Sequence, residues 1–189
     1  MITNRIREAV SIKENMLQDP ELQELIMKAA QTCIDAFRQG GKVLLCGNGG
    51  SAADAQHIAA ELSGRFYYDR PPLDAEALHV NTSYLTAVAN DYSYADIFSR
   101  IIQGRGKSGD VLIAFSTSGN SPNVLKAIET AANQKMSTIG FTGTDGGKMR
   151  SSCDILIRVP SEDTARIQEN HIFIGHLICE IIEKELFPK

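Results

Sequence analysis

The sequence predicts an α/β protein built on a five-stranded parallel sheet with helices on both faces, a three-layer sandwich. Three observations carry this expectation. Short apolar runs alternate with helical patterns, which requires crossover connections and a parallel sheet. The runs are apolar throughout rather than at every second residue, as strands covered on both faces should be. No repeat, low-complexity tract or linker interrupts the 189 residues. Residues 1–189 therefore read as one domain, long enough to bury a sizeable core.

Residues 2–17 form a first amphipathic helix. Asp19-Pro20-Glu21 opens a second: Asp caps, Pro suits the first turn, and Glu complements the helix dipole. Gly40-Gly41 ends it, leaving an N-terminal helical segment over 2–39. KVLLC (42–46) is the first strand, followed by a glycine-rich loop and a helix. EALHV (76–80) is a second, weaker strand, with helical segments around 83–90 and 93–103. DVLIAF (110–115) is the third, then STSGNS and a helix from Pro122 to about 134. MSTIGFTG (136–143) and DILIRV (154–159) complete the sheet, and an amphipathic helix spans roughly 163–186. RFYYDRPPLD (65–74) reads as irregular, either a surface crossing or a rim or subunit contact.

Composition is ordinary for a globular protein, with 43% hydrophobic and 22% charged residues and a formal net charge of -4. No Lys/Arg-rich run supplies a nucleic-acid footprint. MITNRIREAV resembles neither a secretory signal nor a membrane span. Cys33, Cys46, Cys153 and Cys179 form no CxxC pair, so reduced thiols and a cytoplasmic setting are expected.

Ligands of such sheets bind beyond the carboxyl ends of the strands, where two loops stand out. Gly47-Asn48-Gly49-Gly50-Ser51-Ala52 fits GxGxxA, a pattern for pyrophosphate on a helix N-terminus. The acidic residue that would hold a ribose is missing from the end of the second strand, His79-Val80-Asn81, so a dinucleotide is disfavoured. A tight turn alone also accounts for the glycines. In the second loop, Ser116, Thr117, Ser118 and Ser121 offer hydroxyls beside a helix N-terminus, with Ser121 at the cap and Pro122 in the first turn. The loop suits a single phosphate monoester, since the lysine of a triphosphate loop is absent. Capping alone is the other reading.

His57 and Glu61 lie four residues apart on one helix face. The final helix carries Gln168, Glu169, His171 and His176. Imidazole with carboxylate suits Zn²⁺ or general acid–base catalysis, while for any one of these residues alone a surface or satisfied structural role is favoured. Gln168 and His176 are separated by about 12 Å of rise and about 80° of rotation on a regular helix. If both serve one site, either that helix is irregular or one of them comes from a second subunit.

CGNGGSAADAQHIAAEL (46–62), Ala89-Asn90-Asp91, STSGNS (116–121), GFTGTDGG (140–147) and TARIQENHIFIGH (164–176) together resemble the bacterial phosphoheptose isomerases, also called sedoheptulose-7-phosphate isomerases. These lie within the sugar isomerase (SIS) fold, a flavodoxin-like sandwich, and the resemblance spans nearly the whole chain. It implies one Zn²⁺ per subunit on His57, Glu61, Gln168 and His176. It implies sugar-phosphate contacts from Asn48, Gly49, Gly50, Ser51, Glu61, Asn90, Asp91, Ser116, Thr117, Ser118, Ser121 and Gln168. Glu61 and His176 are the expected acid–base pair. The implied reaction converts D-sedoheptulose 7-phosphate to D-glycero-D-manno-heptose 7-phosphate through an enediol, toward the heptose of lipopolysaccharide core or surface glycans. A homotetramer with sites at subunit interfaces is implied too. The rival is a non-catalytic SIS-domain regulator that binds the replication initiator protein. Such a protein lacks the metal and acid–base residues, which this chain keeps. Ala165 stands where some members carry a charged residue, so no substrate contact is expected there.

Overall fold

The computed structural model describes all 189 residues, Met1–Lys189. Five strands form one sheet: β1 (Val43–Cys46), β2 (Ala75–Ala77), β3 (Val111–Phe115), β4 (Ser137–Thr142) and β5 (Ile155–Arg158). Every pairing is parallel and the order is β2-β1-β3-β4-β5. The register pairs Val43 with Val111 and Val111 with Ser137. Strand residues alternate between two cores because side chains of successive residues point to opposite faces. Val43, Leu45, Val111, Ile113 and Phe115 enter one core; Leu44, Cys46, Leu112 and Ala114 enter the other. Both faces are apolar, which is why the strands read as unbroken hydrophobic runs.

The first core is closed by α1 (Ile2–Leu17), α2 (Pro20–Arg38), α3 (Gly50–Ser63) and α7 (Thr164–Leu186). The second lies under α4 (Thr82–Asp91), α5 (Ile97–Arg105) and α6 (Pro122–Asn133). β1 and β3 are neighbours, yet the chain leaves β1 for one face through α3 and leaves β3 for the other through α6. This divergence opens a crevice at the carboxyl edge of the sheet, the switch point where parallel α/β proteins bind ligands.

The elements follow local chemistry. Asp19 accepts a hydrogen bond from the Leu22 N–H at the start of α2, with Pro20 in the first turn. Asp163 accepts from the Ala165 and Arg166 N–H groups at the start of α7. The second strand is shorter and earlier than expected, Ala75–Ala77 rather than 76–80. It is the sheet edge, pairing only with β1, and its last ladder bond is Leu78 N–H to Leu45 O. The pattern at 93–103 resolves into a 3₁₀ turn at Tyr94–Asp96 followed by α5, and a second 3₁₀ turn at Gly147–Ser151 had no sequence signal. No helix is long and apolar enough to cross a membrane, and all four cysteines are free.

His171 lies fully buried on the sheet-facing side of α7. Its ring meets Phe141 edge-on at 5.6 Å and Phe115 at 5.9 Å, and Nε2 is 3.2 Å from the Thr142 carbonyl. Burial pushes its pKa down to about 4, against the opposing pull of that carbonyl. The unfolded chain therefore takes up a proton from about pH 6.5 downward that the folded one refuses until about pH 4. Stability from this group is present above that window and lost as pH falls through it. Relative to His171→Phe, the wild type should lose about 3 kcal/mol between pH 7 and pH 4. Urea melts of both proteins across that range measure the difference, and parallel pH profiles would refute the assignment.

Candidate active site

The site begins with two helices held unusually close. A Cβ at Gly175 would stand 2.2 Å from Ile58 Cδ1, and one at Gly50 would stand 2.6 Å from Gln168 Nε2. Contacts advance together along both chains, Gly50 with Gln168 and then Ile58 with Gly175, so α3 and α7 run side by side in one direction. This apposition brings His57 and Glu61 against His176. His57 Nε2 is 3.0 Å from Glu61 Oε1, and His176 Nε2 is 3.4 Å from both. The two imidazoles lie 5.3 Å apart and tilted, with the Phe66 ring 5.9 Å from that of His176.

This trio is the group in the chain that could hold a metal ion. Donors about 2.0–2.1 Å from a tetrahedral zinc stand roughly 3.3 Å from one another. The observed 3.0 to 3.4 Å separations fit that requirement, and two imidazoles with one carboxylate suit a borderline divalent ion. The side chains of His57 and His176 are 55% and 39% exposed against 16% for Glu61, so the trio opens to solvent. Glu61 Oε2 points inward and makes no hydrogen bond. Beside it lies Cys179, whose thiol is held far above its ordinary pKa by burial and by the Glu61 charge.

Gln168 is not in this cluster. α7 is continuous from Thr164 to Leu186, which excludes an irregular helix as the means of bringing Gln168 to His176. Within one chain its amide rests on Gly50, two turns from His176, at the mouth of the glycine loop.

The hydroxyl loop is built by pairing with its neighbours. Ser116 N–H donates to Phe141 O, Gly119 N–H to Ser116 O, and Gly143 N–H to Thr117 O. Gly119, at φ 65°, has the Gly146 carbonyl where a Cβ would be, only 2.1 Å away. Ser121 occupies the N-cap position of α6 as expected, but its hydroxyl does not cap. It lies 2.9 Å from Ser116 Oγ instead; in the first turn of α6 the Val124 N–H donates to Asn123 Oδ1 and the Leu125 N–H to Ser121 O, which leaves the Asn123 N–H, Pro122 having none, for an anion. Thr117 is half-buried and Ser118 exposed, with Ser118 Oγ accepting from Asn120 N–H.

Asn48 and Asn123 tie the two loops together across the crevice. Each amide donates to the other, at 2.9 and 2.8 Å, and Tyr94 Oη also donates to Asn48 Oδ1. Gly49 and Gly50 are exposed beside them, while Ser51 is buried. Asn90 and Asp91 sit at the exposed end of α4, bonded to each other and to no other site residue. Sequence reasoning did not single out Asn123, Tyr94 or Asp54. Asp54 shares the α3 stripe of Gly50, His57 and Glu61; burial pushes its carboxyl up to about 6, opposed by His57, and its Oδ2 has no partner. Its i, i+4, i+7 spacing was the available signal.

A parallel sheet with a hydroxyl loop and a glycine loop facing across the switch point defines a SIS domain, and the SIS domain model matches residues 6–143. Relatives narrow this further. The phosphoheptose isomerase of Burkholderia pseudomallei strain 1710b is 53% identical over 188 residues, covering 100% of this chain and 95% of its own. That of Aneurinibacillus thermoaerophilus is 50% identical, covering 98% and 94%. The structure of phosphoheptose isomerase GmhA from Neisseria gonorrhoeae superposes with a TM-score of 0.91 at 42% identity, covering 97% of each chain. The chain belongs to the phosphoheptose isomerase family.

The closeness of α3 and α7 gives a direct test. Gly175→Ala should push the helices apart at Ile58, cost about 1–3 kcal/mol, and lower turnover by displacing His176 from Glu61. Adding Ile58→Val, which removes the Cδ1 that the new methyl would strike, should recover stability and activity together. Undiminished turnover in Gly175→Ala alone would show that the apposition does not set the site.

Proposed function

We propose that the protein isomerises D-sedoheptulose 7-phosphate to D-glycero-D-manno-heptose 7-phosphate, with the phosphate on the hydroxyl loop and the reacting carbons at Glu61 and His176. The observation that carries this reading is the trio His57, Glu61 and His176, within 3.4 Å of one another in a family of ketose–aldose isomerases. A replication-initiator-binding regulator has no use for that set and is not favoured.

The reaction moves one proton from C1 to C2 and exchanges carbonyl for hydroxyl. Glu61 takes the C1 proton, leaving an enediol, and returns it to C2. His176 delivers a proton to O2 and removes one from O1. The Asn123 N–H at the start of α6, with Ser116, Thr117, Ser118 and Ser121, holds the phosphate. Backbone at Gly49 and Gly50 and side chains of Asn90 and Asp91 orient the sugar. Asn48 acts chiefly through its backbone, its amide being committed to Asn123 and Tyr94. Zn²⁺ on His57, Glu61 and His176 would supply Lewis-acid polarisation of the substrate oxygens. Gln168 either completes that set from a neighbouring subunit or contacts the sugar beside its own Gly50.

A homotetramer fits the surface. Ile2, Ile6, Val10, Leu17, Met27 and Phe173 are exposed on α1, α2 and α7, a large apolar area for a monomer to leave in water. Light scattering should return four times the 20.6 kDa chain mass. Mixing Glu61→Ala with Gln168→Ala subunits tests sharing. Regained activity means that Gln168 serves a neighbour's site; persistent inactivity in verified hybrids means that it serves its own.

Aldose formation from sedoheptulose 7-phosphate should fall on chelation and return with Zn²⁺. Glu61→Gln should lower kcat by roughly 10²–10⁴-fold without unfolding the protein. Ser116→Ala should mainly raise KM, by about tenfold or more, for loss of one hydrogen bond to a charged group. No turnover with any divalent ion would end the isomerase reading.

A further inference from the structure

The irregular segment between α3 and β2 is organised around a buried ion pair. Arg70 and Glu183 side chains are 2% and 1% exposed, with Arg70 Nε 3.1 Å from Glu183 Oε1. The Arg70 fork continues to backbone. Nη2 donates to Glu61 O at 2.7 Å, and Nη1 to Leu62 O at 2.7 Å and Gly64 O at 3.2 Å. Those carbonyls lie at the C-terminal end of α3, where no intrahelical N–H reaches them, and Leu62 O also accepts the Leu73 N–H. Glu183 Oε1 accepts Phe66 N–H at 2.9 Å and Oε2 accepts Tyr67 N–H at 2.7 Å. The Phe66 ring lies against His176. Glu183 is itself two turns beyond His176 on the same face of α7.

We infer that Arg70 and Glu183 are positioning residues that fix Glu61 and His176 relative to each other, an inference that rests on the acid–base roles proposed above. One guanidinium holds the backbone of Glu61; the carboxylate it pairs with holds the segment whose ring packs on His176. Both halves of the acid–base pair thus refer to one buried contact. Stability alone does not call for charge here, because an apolar pair of similar volume serves as well or better in a core. Direction does: only the planar fork of arginine spans several carbonyls and a carboxylate at once. Lysine keeps the charge and loses the span.

The test compares Arg70→Lys, Glu183→Gln, Phe66→Leu and Glu61→Gln in the full-length, zinc-loaded protein, with thermal melts to verify folding. Folded Arg70→Lys and Glu183→Gln should lose roughly 10–100-fold in kcat, the scale of a small misplacement of reacting groups. KM should hold, since the phosphate loop lies on other elements, and the pH profile of kcat should shift. Phe66→Leu leaves the ion pair intact and removes only the ring on His176; it should lower kcat in the same way. Wild-type kcat in any folded Arg70 or Glu183 variant overturns the inference. If those variants do not fold, wild-type kcat in Phe66→Leu overturns it. Glu61→Gln separates the two readings. An inactive Glu61→Gln beside a fully active Arg70→Lys removes only the positioning role; an active Glu61→Gln removes the acid–base assignment and this inference with it.

Discussion

The contact between Gly175 and Ile58 sets the geometry on which the rest of the site depends. Removing a single Cβ lets α7 approach α3 closely enough for the imidazole of His176 to reach Glu61 Oε1 and His57 Nε2. Everything else follows from the direction of that approach. Because the helices run the same way, one end of their seam faces the glycine loop, through Gly50 and Gln168. The other end carries the trio. The seam thus runs from the glycine loop at the sheet edge to the trio.

The loops are held with comparable economy. The Asn48–Asn123 amide pair bridges segments whose helices depart to opposite faces of the sheet, so the crevice has a fixed width at its base. The Ser116–Ser121 contact closes the hydroxyl loop on itself, while Asn123 Oδ1 accepts the Val124 N–H in the first turn of α6. An N-cap residue by position need not be one by hydrogen bond.

Much of this was legible in the residues. Continuous apolar runs located four of the five strands closely, and Asp-Pro-Glu marked the start of α2. The His57–Glu61 spacing declared a shared face, and the rise between Gln168 and His176 already argued that one regular helix does not bring both to one point. What stayed hidden depends on contacts between distant segments. The short edge strand follows the length of its neighbour rather than its own composition. Arg70 and Glu183 are 113 residues apart, and nothing local in RFYYDRPPLD says that its arginine is buried. Asn123 looks like any residue after a helix-starting proline until Asn48 is placed across from it.

The seam joins a helix near the start of the sheet to the last helix of the chain. During synthesis α3 emerges early and folds against β1, while α7, which supplies His176 and Glu183, starts about a hundred residues after α3 ends. The proposed acid–base pair therefore has no existence in a chain that stops short of α7, however well its sheet has formed. Contacts of such long sequence separation also form late and slowly in folding. Onset of turnover after refolding would serve as a clock for docking of the final helix, distinct from the earlier signals of collapse and strand pairing.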